Sequence, residues 1–191
     1  MSAALLACCA LVLLASAWSH VRDPRALIAG LGAHGLVPVR LRTPMARVLT
    51  ATELALGVAG LAAALTGLLV VAVVAAAACT LLFLSMSGYL LAARRSAPAG
   101  VPCACGLGDA PLGPWVTARA LILAGLAAVA AGSAAVALAS ADAGAWGLAG
   151  RPVDEAVVLV CAALALAIAV ALLPVARRDP EGLVLAAGGA R

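Results

Sequence analysis

The chain has 191 residues, 66% of them hydrophobic and 10% charged, with a mean hydropathy of +1.19 and a net charge of +4. Soluble domains carry about half apolar and about a quarter charged residues, so a soluble globular fold is excluded. All twelve basic residues are arginines that sit beside apolar runs. They form no stripe on a soluble face, which argues against a nucleic-acid partner and gives them an orienting role in a bilayer.

Five apolar runs, at residues 3 to 18, 48 to 65, 68 to 93, 115 to 140 and 156 to 176, approach the roughly 17 to 25 residues of a spanning helix. Ala and Leu dominate them without the period of two that a membrane barrel requires. The fold class is therefore all-α, a polytopic membrane helical bundle, because backbone groups in hydrocarbon must be satisfied within their own segment. The first run ends in "ASA", which has the form of a signal-peptide cleavage site. It lacks a basic n-region and is read as a retained span.

Residues 20 to 47 form a basic connector. Asp23 and Pro24 are a helix-start pair and Gly35 is placed to end the short helix that follows. Leu27, Ile28 and Leu31 share one face of it, which predicts an interfacial helix lying against the membrane. Thr43 and Pro44 repeat the start signal for the second span. From Val48 to Ala93 a single helix would be about 69 Å long at 1.5 Å per residue, so Thr66 and Gly67 are read as a turn between antiparallel spans. Gly57, Gly60, Gly125 and Gly132 permit close helix approach, and Ser85, Ser87 and Tyr89 are read as interhelical glue.

Strict alternation of five spans places residues 20 to 47, 94 to 114 and the C-terminal tail on one face. That face, with Arg119 just inside the fourth span, holds eleven of the twelve arginines; the other holds only Arg151, with Asp142, Asp154 and Glu155. The positive-inside rule then predicts a multi-pass cell-membrane protein with its N-terminus outside and its C-terminus cytoplasmic. Cys103 and Cys105 fall on the cytoplasmic side.

The stretch "VPCACGLGDAP", residues 101 to 111, is the one part of the chain that looks like a site. A Cys-x-Cys pair closes a small strained disulfide, and strained, exposed disulfides are the labile ones. Arg94, Arg95 and the N–H groups around Gly106 and Gly108 would lower the thiol pKa. Two other readings stay open at this point: metal ligation together with His20 and His34, whose spacing matches no standard zinc site, and an inert turn. Cys8, Cys9, Cys79 and Cys161 fall in the outer half, roughly 15 to 20 Å of helix rise from the loop pair. That is too far for direct exchange without a mobile loop or a quinone. Glu53 lies about 13 Å into the second span, where a carboxylate is costly and usually functional or paired. Its candidate partners are Arg47, Arg119, Thr50, a proton or a quinone.

The stretches "HVRDPRALIAGLGAHGLVP", "ATELALG" with Glu53 and Gly57, "PCACGLG", and "PLGPWVTARALILAG" with Arg119 resemble the methylamine-utilisation MauE family. That family sits within a DoxX-like group of small four-helix membrane proteins, and the likeness covers roughly residues 10 to 135. The family pattern has Phe-Gly after Cys-x-Cys where this chain has Gly106, Leu107 and Gly108, and Arg-Asn where it has Arg119 and Ala120. The resemblance implies a four-span domain at residues 1–140, with an extra loop, a fifth span and a short basic tail at residues 141–191. It also implies a membrane helper of disulfide formation or electron transfer. Such a helper would work with a thioredoxin-like protein and an exported, disulfide-containing client.

The expected function is accordingly thiol–disulfide or electron-transfer assistance to maturation of a partner protein. Cys103 and Cys105 would cycle between dithiol and disulfide, and Glu53 and Arg119 would support proton or quinone handling. No metal is assigned, and a quinone is the one cofactor candidate. The alternative is a non-catalytic membrane scaffold or assembly factor, in keeping with Ala and Gly on every span.

Overall fold

The computed structural model describes residues 2–98, 100–107, 110–140, 146–148 and 151–177. Gly108, Asp142, Arg178 and Arg191 of the sequence reading, with the rest of the tail, lie outside them. Six helices follow in chain order: α1 (Ser2–Arg22), α2 (Pro24–Ala33), α3 (Val39–Thr66), α4 (Leu69–Ser96), α5 (Pro114–Ala139) and α6 (Val153–Ala176). All but α2 are long and apolar enough to cross a membrane. Among the described residues there is no strand, only an isolated bridge between Pro102 and Pro111.

The helix boundaries follow the local signals, with one shift. Asp23 caps α2 by accepting a hydrogen bond from the Ala26 N–H at 3.1 Å, with Pro24 in the first turn. The Gly35 φ of +73° ends it. At the next turn, Gly67 takes a φ of +76° and its N–H bonds to the Ala63 carbonyl, closing α3. The shift is at the start of α3. Pro38, extended at ψ 142°, caps the helix, so Pro44 lies inside α3 and does not start it. A proline at the helix interior removes one backbone bond, and α3 continues through it.

α1 is the central element. It is the most buried of the five spans and α6 the least, and it packs against α2, α3, α4, α5 and α6. A β-carbon on Gly57 would lie 2.7 Å from Leu14 Cγ and 3.2 Å from the Ala10 carbonyl oxygen, so α1 and α3 meet at a distance only glycine allows. Gly60 does the same more loosely, 3.3 Å from Ala10 Cβ. Gly125 and Gly132 face open space and make no such approach. Ser85 and Ser87 bond the carbonyls one turn back, Leu81 and Phe83, at 2.7 and 2.8 Å. They satisfy their own helix and glue nothing; of the three hydroxyls only Tyr89 reaches across to another element.

The connectors collect at two ends. At one, the Leu148 N–H bonds to the Ala64 carbonyl at 3.0 Å and Gly147 rests against Gly67. Beneath them lies a cluster of small residues with Leu6, Leu69 and Trp146. The opposite end carries α2, the loop from Ser96 to Pro114 and the Arg177 guanidinium, stacked 5.1 Å from the Trp115 ring. The apolar face of α2 is spent there on the protein and not on lipid: Leu27 and Leu31 are buried with Val37 and Ala46 and touch Ile28, Leu49 and Tyr89.

Candidate functional site

Three prolines and a short ladder shape the loop that carries the thiols. The Cys103 N–H donates to the Ala110 carbonyl at 3.0 Å and the Leu112 N–H to the Val101 carbonyl at 2.8 Å. This folds the Cys-x-Cys segment back over the end of the bundle. Ala104, between the cysteines, has φ +56°, a left-handed conformation that costs an alanine about 1–2 kcal/mol. Its methyl lies directly against Gly30 of α2, where a β-carbon would overlap it. Gly106 takes φ +69°, and a β-carbon there would lie 3.0 Å from the His20 ring and from Ser19 Cβ. α2 and α1 therefore hold the strained segment on both sides.

That conformation directs both sulfurs to one place. Cys103 is 4% exposed, Cys105 is half-buried, and the Cys103 thiol hydrogen-bonds the Cys105 sulfur. All six cysteines are free thiols. The Arg119 Nη2 donates to Cys105 Sγ at 2.7 Å, while its Nη1 reaches the Ala171 carbonyl of α6 at 3.4 Å. Hydrogen bonding from Cys103, helped by Arg119 and the Leu107 N–H against the opposing effect of burial, lowers the Cys105 thiol to about 6. Its hydrogen bond to Cys105, together with burial, pushes the Cys103 thiol up. The pair is thus split into a thiolate and a retained thiol, the asymmetry that exchange chemistry uses. Chain proximity assigns the charge role to Arg94 and Arg95, but both are exposed, and the guanidinium on the sulfur is that of Arg119.

A second polar group lies below the loop. Glu53 is 1% exposed. Its Oε1 accepts from Ser16 Oγ at 3.0 Å, and its Oε2 sits 3.7 Å from His20 Nε2 with no hydrogen-bond partner. Neither Arg47, Arg119 nor Thr50 is its partner; Thr50 bonds the Ala46 carbonyl. Ser16 also faces the Cys105 carbonyl at 3.1 Å, and its single hydroxyl hydrogen serves one acceptor at a time. Ser16 and His20 stand one turn apart on α1, the only signal in the sequence for this group.

His34 completes the frame. Its Nε2 lies 3.1 Å from the Pro102 carbonyl and its Nδ1 2.9 Å from Tyr89 Oη. A carbonyl only accepts, so Nε2 carries the hydrogen and the tyrosine hydroxyl donates to Nδ1. Both ring nitrogens are occupied, which leaves none for a metal. Among the described residues no cluster of three or more His, Cys, Asp or Glu is placed to hold one.

The remaining cysteines stand apart. Cys8, Cys9 and Cys79 are fully buried in one apolar cluster with Phe83 and Leu123, and Cys9 Sγ donates to the Leu123 carbonyl at 3.6 Å. Cys161 is exposed on α6. Thiol pair, Glu53, His20, His34, Tyr89 and Arg119 instead line a single cavity of about 320 Å³.

A family model described as "Methylamine utilisation protein MauE" matches residues 1–137, which include all of these site residues and leave out α6. No curated protein and no solved structure matches the chain.

Proposed function

Because the chain belongs to the MauE family, whose description ties it to methylamine utilisation, we propose that it is a membrane thiol–disulfide helper in the maturation of a partner protein. The observation that carries this reading is the Cys105 sulfur held between the Cys103 thiol and Arg119 Nη2 at 2.7 Å.

The exchange balances in either direction. The Cys105 thiolate attacks a partner disulfide and expels one partner thiolate, and the Cys103 thiol, giving up its proton, then displaces the second. The pair ends oxidised and the partner carries two electrons more, with one proton from Cys103 and one from solvent. In reverse, a partner dithiol attacks Cys105 Sγ, Cys103 leaves first, and the partner departs with a disulfide. Arg119 stabilises the thiolate at Cys105 in both directions.

The partner at the loop is a thioredoxin-like protein and the final client an exported, disulfide-containing protein. The arginine-rich end, with Arg22, Arg25, Arg40, Arg42, Arg47, Arg94, Arg95 and Arg177, faces the cytoplasm under the positive-inside rule, which leaves the N-terminus outside. Reporter fusions after residues 45 and 100 test that orientation; an external signal at either overturns it. Replacing both loop cysteines with Ser tests the function. Loss of disulfides from the exported client on non-reducing gels is expected, and unchanged maturation would make the chain a scaffold instead.

A further inference from the structure

The cavity beside the thiols opens sideways. α3 ends and α4 begins at the Gly67 turn, and towards the arginine-rich end the cavity lies between them. Met45 and Val48 on α3 and Ser85 on α4 line it and are also exposed on the outer surface. Val48 and Ser85 lie within the apolar runs of the second and third spans, with Met45 at their cytoplasmic edge, so the mouth opens to lipid at the rim of the bilayer. At about 320 Å³ the cavity is at the lower end of small-ligand pockets, roughly 300–1,000 Å³. Its inner wall carries a polar atom with nothing to bind: Glu53 Oε2, in a residue 1% exposed. Buried carboxyl oxygens are nearly always satisfied, so this one, as the oxygen that carries the carboxyl proton while Oε1 accepts from Ser16, points to a ligand that brings an acceptor oxygen.

We propose that the cavity binds the ring of a lipid-dissolved quinone, which enters between α3 and α4 and takes the electrons of the Cys103–Cys105 dithiol. This rests on the thiol–disulfide reading above. Forming the S–S bond releases two electrons, which a single two-electron acceptor takes up together. The Cys103 thiol supplies one proton and Glu53 the other, refilled past His20; the quinone leaves as the quinol. A water-soluble acceptor would have to cross lipid to reach this mouth, whereas a bilayer-dissolved one is already beside it.

The test uses the full chain in quinone-free lipid nanodiscs, reduced and freed of reductant, and offered decylubiquinone, whose fully substituted ring cannot add thiols. Diamide, which closes dithiols without a binding site, runs in parallel. We expect decylubiquinone to close the Cys103–Cys105 bond with one quinol formed per bond. Ser85→Trp and Met45→Trp, which fill the mouth, and Glu53→Gln should each lower the quinone rate relative to the diamide rate by roughly tenfold, about 1.4 kcal/mol in barrier. Closure by diamide but not by decylubiquinone would overturn the quinone site and leave the exchange function standing. Failure of both oxidants would overturn the exchange function and the quinone site with it.

Discussion

The two ends of the bundle are built from the same few residue types and packed in opposite ways. At the Gly67 end, alanines on α1, α3, α4 and α5 let backbones touch, and Gly147 closes over Gly67. At the Cys103 end, Leu, Met, Phe, Tyr and His side chains hold α3 and α4 apart around a cavity. Small residues seal a bundle in lipid because van der Waals contact drives helix association there. A bundle with a site must therefore bring in larger side chains where it is to stay open. Polar groups follow the same division: Glu53, His20, His34 and Arg119 are all buried at the open end, where each costs stability unless partnered.

That contrast can be broken at either end. The largest effect expected is on exchange: Cys105→Ala should reduce thiol–disulfide exchange with a thioredoxin-like partner to the uncatalysed level in a stopped-flow assay, and Cys103→Ala should halt it at the mixed disulfide between Cys105 and the partner. Next, Gly147→Ala sets a methyl against the Gly67 backbone and should destabilise the bundle by about 1–3 kcal/mol, read from thermal unfolding in detergent. Gly35→Ala at the open end meets nothing within 4 Å and should cost only the left-handed backbone term, about 1–2 kcal/mol. Equal losses at the two positions would remove the distinction.

A pH profile sharpens the picture of the open end. With its thiol lowered to about 6, Cys105 is a thiolate above that pH and gains its proton as the pH falls through it. Iodoacetamide alkylation of Cys105 should therefore run at full rate at pH 7 and fall away below pH 6. Cys103→Ala removes the largest cause of the lowering and Arg119→Ala the next favourable one. Both should move the profile upward, Cys103→Ala further, towards the ordinary thiol range near 8.5. The smallest effect is expected from Tyr89→Phe, which leaves His34 Nδ1 without its 2.9 Å donor and should cost about 1 kcal/mol.

The five spans, the Gly67 turn and the α2 cap are legible in the sequence because each follows from chain-local physics: hydropathy, a positive φ, an Asx cap. The Cys-x-Cys motif and the buried Glu53 also stand out, since thiols in a loop and an acid in a span are rare events. Their partners do not stand out. Arg119 lies 14 residues after Cys105 and reaches it only once α5 packs against the loop, so chain proximity favours Arg94 and Arg95 instead. Ser16 and His20 meet Glu53 only where Gly57 lets α1 and α3 touch. The cavity depends on how far α3 and α4 diverge, which no local pattern encodes.

The central claim is a reversible bond between two adjacent thiols, and the chain offers a clean readout of it. Trypsin cutting after Arg95 and Arg119 releases residues 96–119, whose only cysteines are Cys103 and Cys105. Blocking free thiols in native membranes, digesting and weighing that segment should show a form two hydrogens lighter and unalkylated, converting to the doubly alkylated form after reduction. A segment that stays doubly alkylated in native membranes and after diamide treatment would contradict the account.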